Sequence, residues 1–376
     1  MKYKQLFSTL LIACLFVSCS QINKQQSTEQ AFSSDTIRYA QGFSTQHFEN
    51  YTSVEVHDPW DSTRLLQRYL LVDRKKPVPE NLPKGTVVQI PVQNIVVYTS
   101  VHAAIIDQLG ETDKIIGVCE PRYMDTPAIQ EGLKNGRIAD MGEATAPNVE
   151  KMIDQGVELV IVSPFQNSSY GPVEKLGIPI IEGADYMESQ PLGRTEWIRF
   201  YGMLFGKEKM GDSIFRATEQ SYLELKNLVK KDIPRPTVIS EKKFGSSWYT
   251  PSGSSYIANL YRDAGADYLF NDLPGAGSTP LAFETVLDKA IHADIWLVKY
   301  NQAKEMTYNE LRTEYTPYEN FDAFKKRHIY TCNTGVVPYY EEFPLHPDYL
   351  LKDLIWVFHP ELVPGYTPRY YRKMQE

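Results

Sequence analysis

Several familiar signatures are missing from this sequence, and each absence narrows what it can do. Only seven of its 376 residues are histidine, and they are scattered, with no H-x-H or H-x-x-x-H pair. A cluster of ligands for a bare zinc or manganese ion is therefore not visible. G-x-S-x-G, G-x-x-x-x-G-K-[ST] and H-E-x-x-H are all absent, so the common hydrolase, nucleotide-binding and metalloprotease patterns are missing. G-A-G-S-T-P, Gly275 to Pro280, is an incomplete glycine motif and reads as a loop before a helix. There is no surplus of positive charge: the net charge is −8, which argues against nucleic acid, whose phosphates need a basic surface. No apolar run after the first twenty residues approaches bilayer-spanning length. Neither an enzyme nor a resident cofactor or metal is expected.

The composition is that of a globular chain, 42% hydrophobic and 23% charged, and its length allows two domains of ordinary size. The first residues stand apart. M-K-Y-K-Q is charged, Leu6 to Val17 is mostly apolar, and F-V-S-C leads into the polar S-Q-I-N-K-Q-Q-S-T. This resembles a bacterial lipoprotein signal, 1–18, with lipid on Cys19. Cys14 in L-I-A-C is nearer the usual lipobox, but Leu15, Phe16 and Val17 follow it, and a mature start should turn polar. Residues 19–34 read as a polar tether. Cys119 and Cys332 remain, and placement in different lobes would leave both as free, buried thiols.

Residues 35–86 suggest a β-rich extension: Y-T-S-V-E-V and R-L-L-Q-R-Y-L-L-V flank the turn-like D-P-W-D-S, and a proline-marked segment follows. From about residue 87 short apolar strands alternate with helices, as a parallel sheet covered on both faces requires. The strands are N-I-V-V-Y, I-I-G-V-C, V-E-L-V-I-V and G-I-P-I-I-E, with a helix from Ser100 to Gly110 between the first two. The pattern returns with R-P-T-V-I-S, A-D-I-W-L-V and R-H-I-Y-T-C. One phrase occurs in each half, N-V-E-K-M-I-D-Q-G-V-E-L-V-I-V and A-F-E-T-V-L-D-K-A-I-H-A-D-I-W-L-V, each a helix entering a central strand. The expected architecture is α/β, two Rossmann-like lobes with parallel central sheets, 87–190 and 210–376. A linking helix spans 191–209, within a helical stretch interrupted near Gly206 and Gly211. Ligands of such sheets lie beyond the carboxyl ends of the strands. That places Thr99, Ser100, His102, Arg122, Tyr123, Phe165, Gln166 and Tyr170 on one side of a cleft. Phe244, Trp248, Tyr249, Lys299, Tyr300, Tyr339 and Tyr340 lie on the other.

V-V-Y-T-S-V-H-A-A-I-I-D-Q-L-G, P-N-V-E-K-M-I-D, W-Y-T-P-S-G-S-S-Y-I-A-N-L-Y-R-D-A-G and H-P-D-Y-L-L-K-D-L-I-W-V-F-H-P-E-L occur in this order. From about Val87 to the C-terminus they resemble the periplasmic solute-binding proteins of ABC importers for iron chelates, haem and cobalamin. The extension resembles that of Bacteroidetes-type lipoproteins of this kind. The resemblance implies a class III binding-protein fold with a rigid linking helix. It also implies a monomeric, lipid-anchored periplasmic protein that passes a small molecule to an inner-membrane ABC permease. By motif, Glu150 and Glu284 are the carboxylates that would dock on permease arginines; both also fit helix N-termini, where the dipole favours a carboxylate.

The ligand implied is a ferric siderophore, another iron chelate or haem. Trp248 and Tyr249 would supply aromatic walls, joined by Tyr123 and Phe165. Arg122 and Lys299 could pair with an anionic chelate, and Tyr339 could touch ligand or iron, with Ser100 lining the cleft. Cobalamin is the alternative, although the tryptophans that cobalamin-binding members carry shortly before each docking glutamate are absent from M-G-E-A-T-A-P-N and G-A-G-S-T-P-L-A. A chelate-binding enzyme or a sensor without a transporter is the further alternative.

Overall fold

The computed structural model describes residues 31, 33–167 and 169–376; the signal segment and Cys19 lie outside the described residues. In the first lobe five parallel strands pair in the order Ile180–Glu182, Leu159–Val162, Ile95–Val97, Ile115–Val118, Ala139–Asp140. Ile95 and Val97 point to one core and Val96 to another, so both faces of the sheet are covered, as the uninterrupted apolar runs demanded. The second lobe repeats the plan with Asp267–Tyr268, Thr237–Ser240, Ile295–Tyr300 and Ile329–Asn333 in parallel and Arg372–Lys373 antiparallel at the edge. A three-stranded antiparallel sheet, Lys243–Phe244, Ser247–Pro251 and Ser278–Leu281, is attached to it.

Two helical segments join the lobes. Pro191–Glu196 and Ile198–Phe205 run almost without a break and end at Gly206, whose φ of +65° supplies the left-handed cap. Glu208–Leu228 then returns. Leu192 and Tyr222 belong to the second lobe's core, whereas Trp197 to Phe205 and Phe215 belong to the first. Each segment is thus anchored in both cores. Gly211 does not interrupt the chain: it lies inside Glu208–Leu228, where a Cβ would stand 2.9 Å from the Ile198 carbonyl oxygen. It is small because two helices cross there, and sequence alone cannot separate that from a break.

The extension forms a four-stranded sheet, Phe43–His47, Thr52–His57, Leu65–Asp73 and Thr86–Ile90, antiparallel except for the last pair. The expected boundary at 86/87 falls inside the last strand, and Phe43, Val54, Val56, Tyr69, Leu71 and Val88 are part of the first lobe's core. Two buried carboxylates fasten its entry. Glu196 accepts from the backbone N–H groups of Arg38, Tyr39 and Ala40, and Glu188 from those of Gln41 and Gly42. The Tyr69 hydroxyl donates to the Ile180 carbonyl and accepts from the Glu182 N–H, satisfying backbone at the sheet's open edge. Cys119 and Cys332, one in each lobe, are buried free thiols, and burial pushes each up to about 12. No helix among the described residues is long and apolar enough to cross a membrane.

Candidate ligand-binding cleft

Parallel strands deliver their following loops to one edge of each sheet, and in this molecule the two edges touch. The Glu341 carboxylate, from the short helix Tyr339–Glu342, accepts from the N–H groups of Asp125 (2.8 Å) and Thr126 (3.1 Å) and from the Thr126 hydroxyl (3.2 Å). It thereby caps the first lobe's helix Pro127–Lys134 from across the cleft. Burial raises its pKa. At the floor, Arg194 donates to Asp185 at 3.0 Å and lies over the rings of Phe343 and Tyr256, at 5.0 and 5.4 Å. Burial pushes the Asp185 carboxyl up, but the His102 hydrogen bond and the Arg194 charge outweigh it and hold it below its usual value.

The lobes mirror each other in charge. After strand Ile115–Val118, Glu120 adopts φ +49°; after Thr237–Ser240, Glu241 adopts φ +68°. Left-handed backbone at a residue other than glycine is sparsely populated and concentrates at functional sites. Glu120 accepts from Arg122 at 3.3 Å, and Glu143 takes the same guanidinium in a fork at 2.6 and 2.9 Å. That fork holds the Glu143 carboxyl at about 2. Glu241 accepts from Lys299 at 2.9 Å. Burial works against the Lys299 charge, yet the Glu241 carboxylate keeps its pKa well above the usual lysine value. Each lobe therefore offers one cation, held by a glutamate just beyond a strand end. Sequence inspection found Arg122 and Lys299 but missed Glu120, Glu143, Glu241, Glu341 and Arg194. A carboxylate one or two residues past a strand, C-E-P-R and S-E-K-K, was the available signal for Glu120 and Glu241.

The aromatic residues divide sharply. Phe165 and Phe244 are 70% and 80% exposed, and Tyr123, Tyr249 and Tyr340 are also exposed. Arg122 lies over the Tyr123 ring at 4.7 Å. Ser100 is half-buried as the first residue of helix Ser100–Gln108, behind its N-cap Thr99. Four expected contacts are not at the surface of the cleft. Trp248 is 0% exposed, stacked on Trp296 and edge-on to Tyr318, with its indole N–H donating to the Ser240 carbonyl. It lies on strand Ser247–Pro251 rather than in a loop, and the strand's alternation turns it inward while Tyr249 turns out. His102 is enclosed by Thr99, Asp185 and Tyr201. Tyr300 is a core residue that donates to Glu305. Tyr339 is buried against Phe343 and Tyr370; it meets Lys299, whose ammonium is 5.5 Å from its ring, leaving Tyr340 as the exposed member of the pair.

Glu150 and Glu284 occupy equivalent places, in the first turns of helices Val149–Asp154 and Phe283–Ala290. Both are exposed, and neither carboxylate has a hydrogen-bond or ion-pair partner among the described residues. Asn148 caps the first helix by accepting from the Lys151 N–H, whereas Ala282 supplies no side-chain cap to the second. No cluster of three metal-ligating side chains occurs among the described residues.

The family model described as periplasmic binding protein matches residues 95–334. This chain belongs to that family. Among relatives of this periplasmic binding protein, an uncharacterised lipoprotein of Methanocaldococcus jannaschii is 28% identical over 323 residues, covering 82% of this chain and 76% of that one. Solved structures share the fold. A periplasmic heme binding protein from Pseudomonas aeruginosa aligns with a TM-score of 0.58 at 15% identity, over 76% of this chain and 99% of that one. The structure described as an ABC-type Fe3+-hydroxamate transport system from Saccharomonospora viridis aligns with a TM-score of 0.54 at 16% identity, over 71% and 94%. The expected α/β architecture and the resemblance to the binding-protein family are both borne out.

Proposed function

We propose that this periplasmic binding protein is the lipid-anchored substrate-binding component of an ABC importer. Cys19 carries the lipid, and the inter-lobe cleft captures a ferric siderophore, another iron chelate or haem for an inner-membrane permease. The observation that carries the ligand class is the cleft's lining: exposed Tyr123, Phe165, Phe244, Tyr249 and Tyr340 around cations that already have carboxylate partners. Such a wall suits a large ligand with an apolar or planar outer face. The neighbours named for heme binding and Fe3+-hydroxamate transport lend the same direction. Glu120, Glu143, Glu241 and Glu341 outnumber Arg122 and Lys299, so a highly anionic chelate would meet repulsion unless a carboxylate swung away. A neutral trihydroxamate or haem is preferred to a trianionic tricatecholate. Glu150 and Glu284, unpaired and exposed, are the permease-docking carboxylates. The protein binds and releases its ligand without chemical change.

Native mass spectrometry of the unlipidated mature protein against haem, a ferric trihydroxamate, a ferric tricatecholate and cobalamin tests this. One-to-one binding of haem or the trihydroxamate is expected. Exclusive binding of cobalamin would replace the iron assignment, and binding of none would remove the chelate class altogether.

A further inference from the structure

A cavity of about 270 Å3 lies where three parts of the chain meet. The extension contributes Gln41, His57 and Ser62, the loop leading into the linking helix Met187 and Ser189, and the second lobe Ala276. Met187 and Ser189 follow strand Ile180–Glu182, so this wall of the cavity lies beyond the carboxyl end of an edge strand of the first lobe's sheet. The Ser189 carbonyl accepts from Asn259 of the second lobe at 2.7 Å, tying this wall to the opposite lobe.

The charged groups around it are satisfied internally. Asp58 accepts from the N–H groups of Trp60 and Asp61 and from Arg64 at 2.5 Å. Glu188 accepts from the indole of Trp197 and the N–H groups of Gln41 and Gly42. What remains is the His57 ring and the Ser62 hydroxyl. The Nδ1–H of His57 donates to the Gln41 carbonyl at 2.8 Å, because a carbonyl can only accept. In the neutral ring Nε2 is then left as an acceptor, and neither it nor the Ser62 hydroxyl has a partner among the described residues. Whole-ligand pockets are commonly about 300–1,000 Å3, so this volume suits part of a molecule rather than all of it.

We infer that the N-terminal extension builds a subsite of the ligand cleft. It takes a neutral substituent of the bound chelate that carries a hydroxyl or amide hydrogen-bond donor, with His57 Nε2 as acceptor and Met187 as its apolar side. This rests on the chelate-binding reading above. It gives the extension a part in selectivity: chelates with the same iron-binding groups but different peripheral chains are distinguished here, away from the metal.

The test is titration of the mature protein by intrinsic-fluorescence quenching with haem and with two ferric trihydroxamates, one bearing a peripheral amide or hydroxyl chain and one without. Ala276→Trp and Ser62→Trp fill the cavity from opposite walls, and His57→Phe removes the acceptor while keeping a ring. Preference for the donor-bearing chelate is expected in the wild type. His57→Phe should lose it by about tenfold, the scale of one hydrogen bond whose partner goes unpaired. Either tryptophan should weaken that chelate at least as much while leaving the melting temperature and the binding of the plain chelate unchanged. If the wild type binds chelates and all three variants match it, the subsite is wrong and the cleft reading stands. If the wild type binds none of the probes, both fall together.

Discussion

Trp248 and Tyr340 show how much a single side chain's direction decides. Both fall near strand ends in the second lobe, but Trp248 is sealed in an aromatic core with Trp296, Phe283, Tyr318 and Phe321, and Tyr340 is exposed. Trp248→Ala should therefore cost about 3–5 kcal/mol of stability, as large buried aromatics do, and leave affinity unchanged wherever the protein remains folded. Tyr340→Ala or Phe165→Ala should do the reverse, changing stability by no more than about 0.5 kcal/mol while weakening ligand binding. Urea titration read alongside binding separates the two patterns, and a lost affinity with intact stability in Trp248→Ala would return that residue to the site. Composition and spacing could nominate aromatic residues near the cleft but could not orient them, because a two-residue strand hairpin before Trp248 decides which face it meets. The buried thiols supply a second test at this scale. With each pushed up to about 12, against about 8.5 unfolded, folding favours the protonated form. Their stabilising contribution is complete below about pH 8.5 and is lost as pH rises towards 12. Native protein spanning residues 20–376 should resist a thiol-reactive dye at pH 8 and react with two equivalents once unfolded. Rapid native labelling would show that one thiol is accessible.

The elements were legible to different depths. Strands with uninterrupted apolar runs, such as Leu159–Val162, announced themselves because nothing but a doubly covered sheet accommodates them. The extension's dependence on the lobe was hidden, since Glu188 and Glu196 serve residues more than 140 positions earlier in the chain. Glu196 is wholly buried and accepts three backbone N–H groups besides Arg199. Glu196→Ala would strand those donors and should destabilise the protein by about 3–5 kcal/mol, the range for removing one partner from a buried charged pair. The segment 38–42 should then exchange its amide hydrogens early, ahead of the Leu159–Val162 strand. Hydrogen exchange resolves this, and unchanged protection of 38–42 would show that packing alone holds the extension.

At the scale of the whole molecule, two helical segments anchored in both cores leave little room for a wide hinge, so lobe motion should be small. The Glu341 contact is then the part of the interface that can open without disturbing either core: its carboxylate reaches across to the N–H groups of Asp125 and Thr126. Glu150 and Glu284 stand one on each lobe, so a permease gripping both would feel any change in lobe spacing, and exposed charges of this kind set orientation and encounter rate more than affinity. These contacts make separable predictions. Glu341→Ala removes a cap but buries no new charge, so it should leave the fold intact and raise the ligand's dissociation rate several-fold. The Glu150→Ala, Glu284→Ala double variant should bind ligand with wild-type affinity and dissociation rate yet fail to stimulate the permease's ATPase in liposomes or to support uptake. Normal stimulation by the double variant would show that other surfaces dock. Loss of ligand binding in it would mean that these carboxylates, unpaired in the structure, belong to the cleft after all.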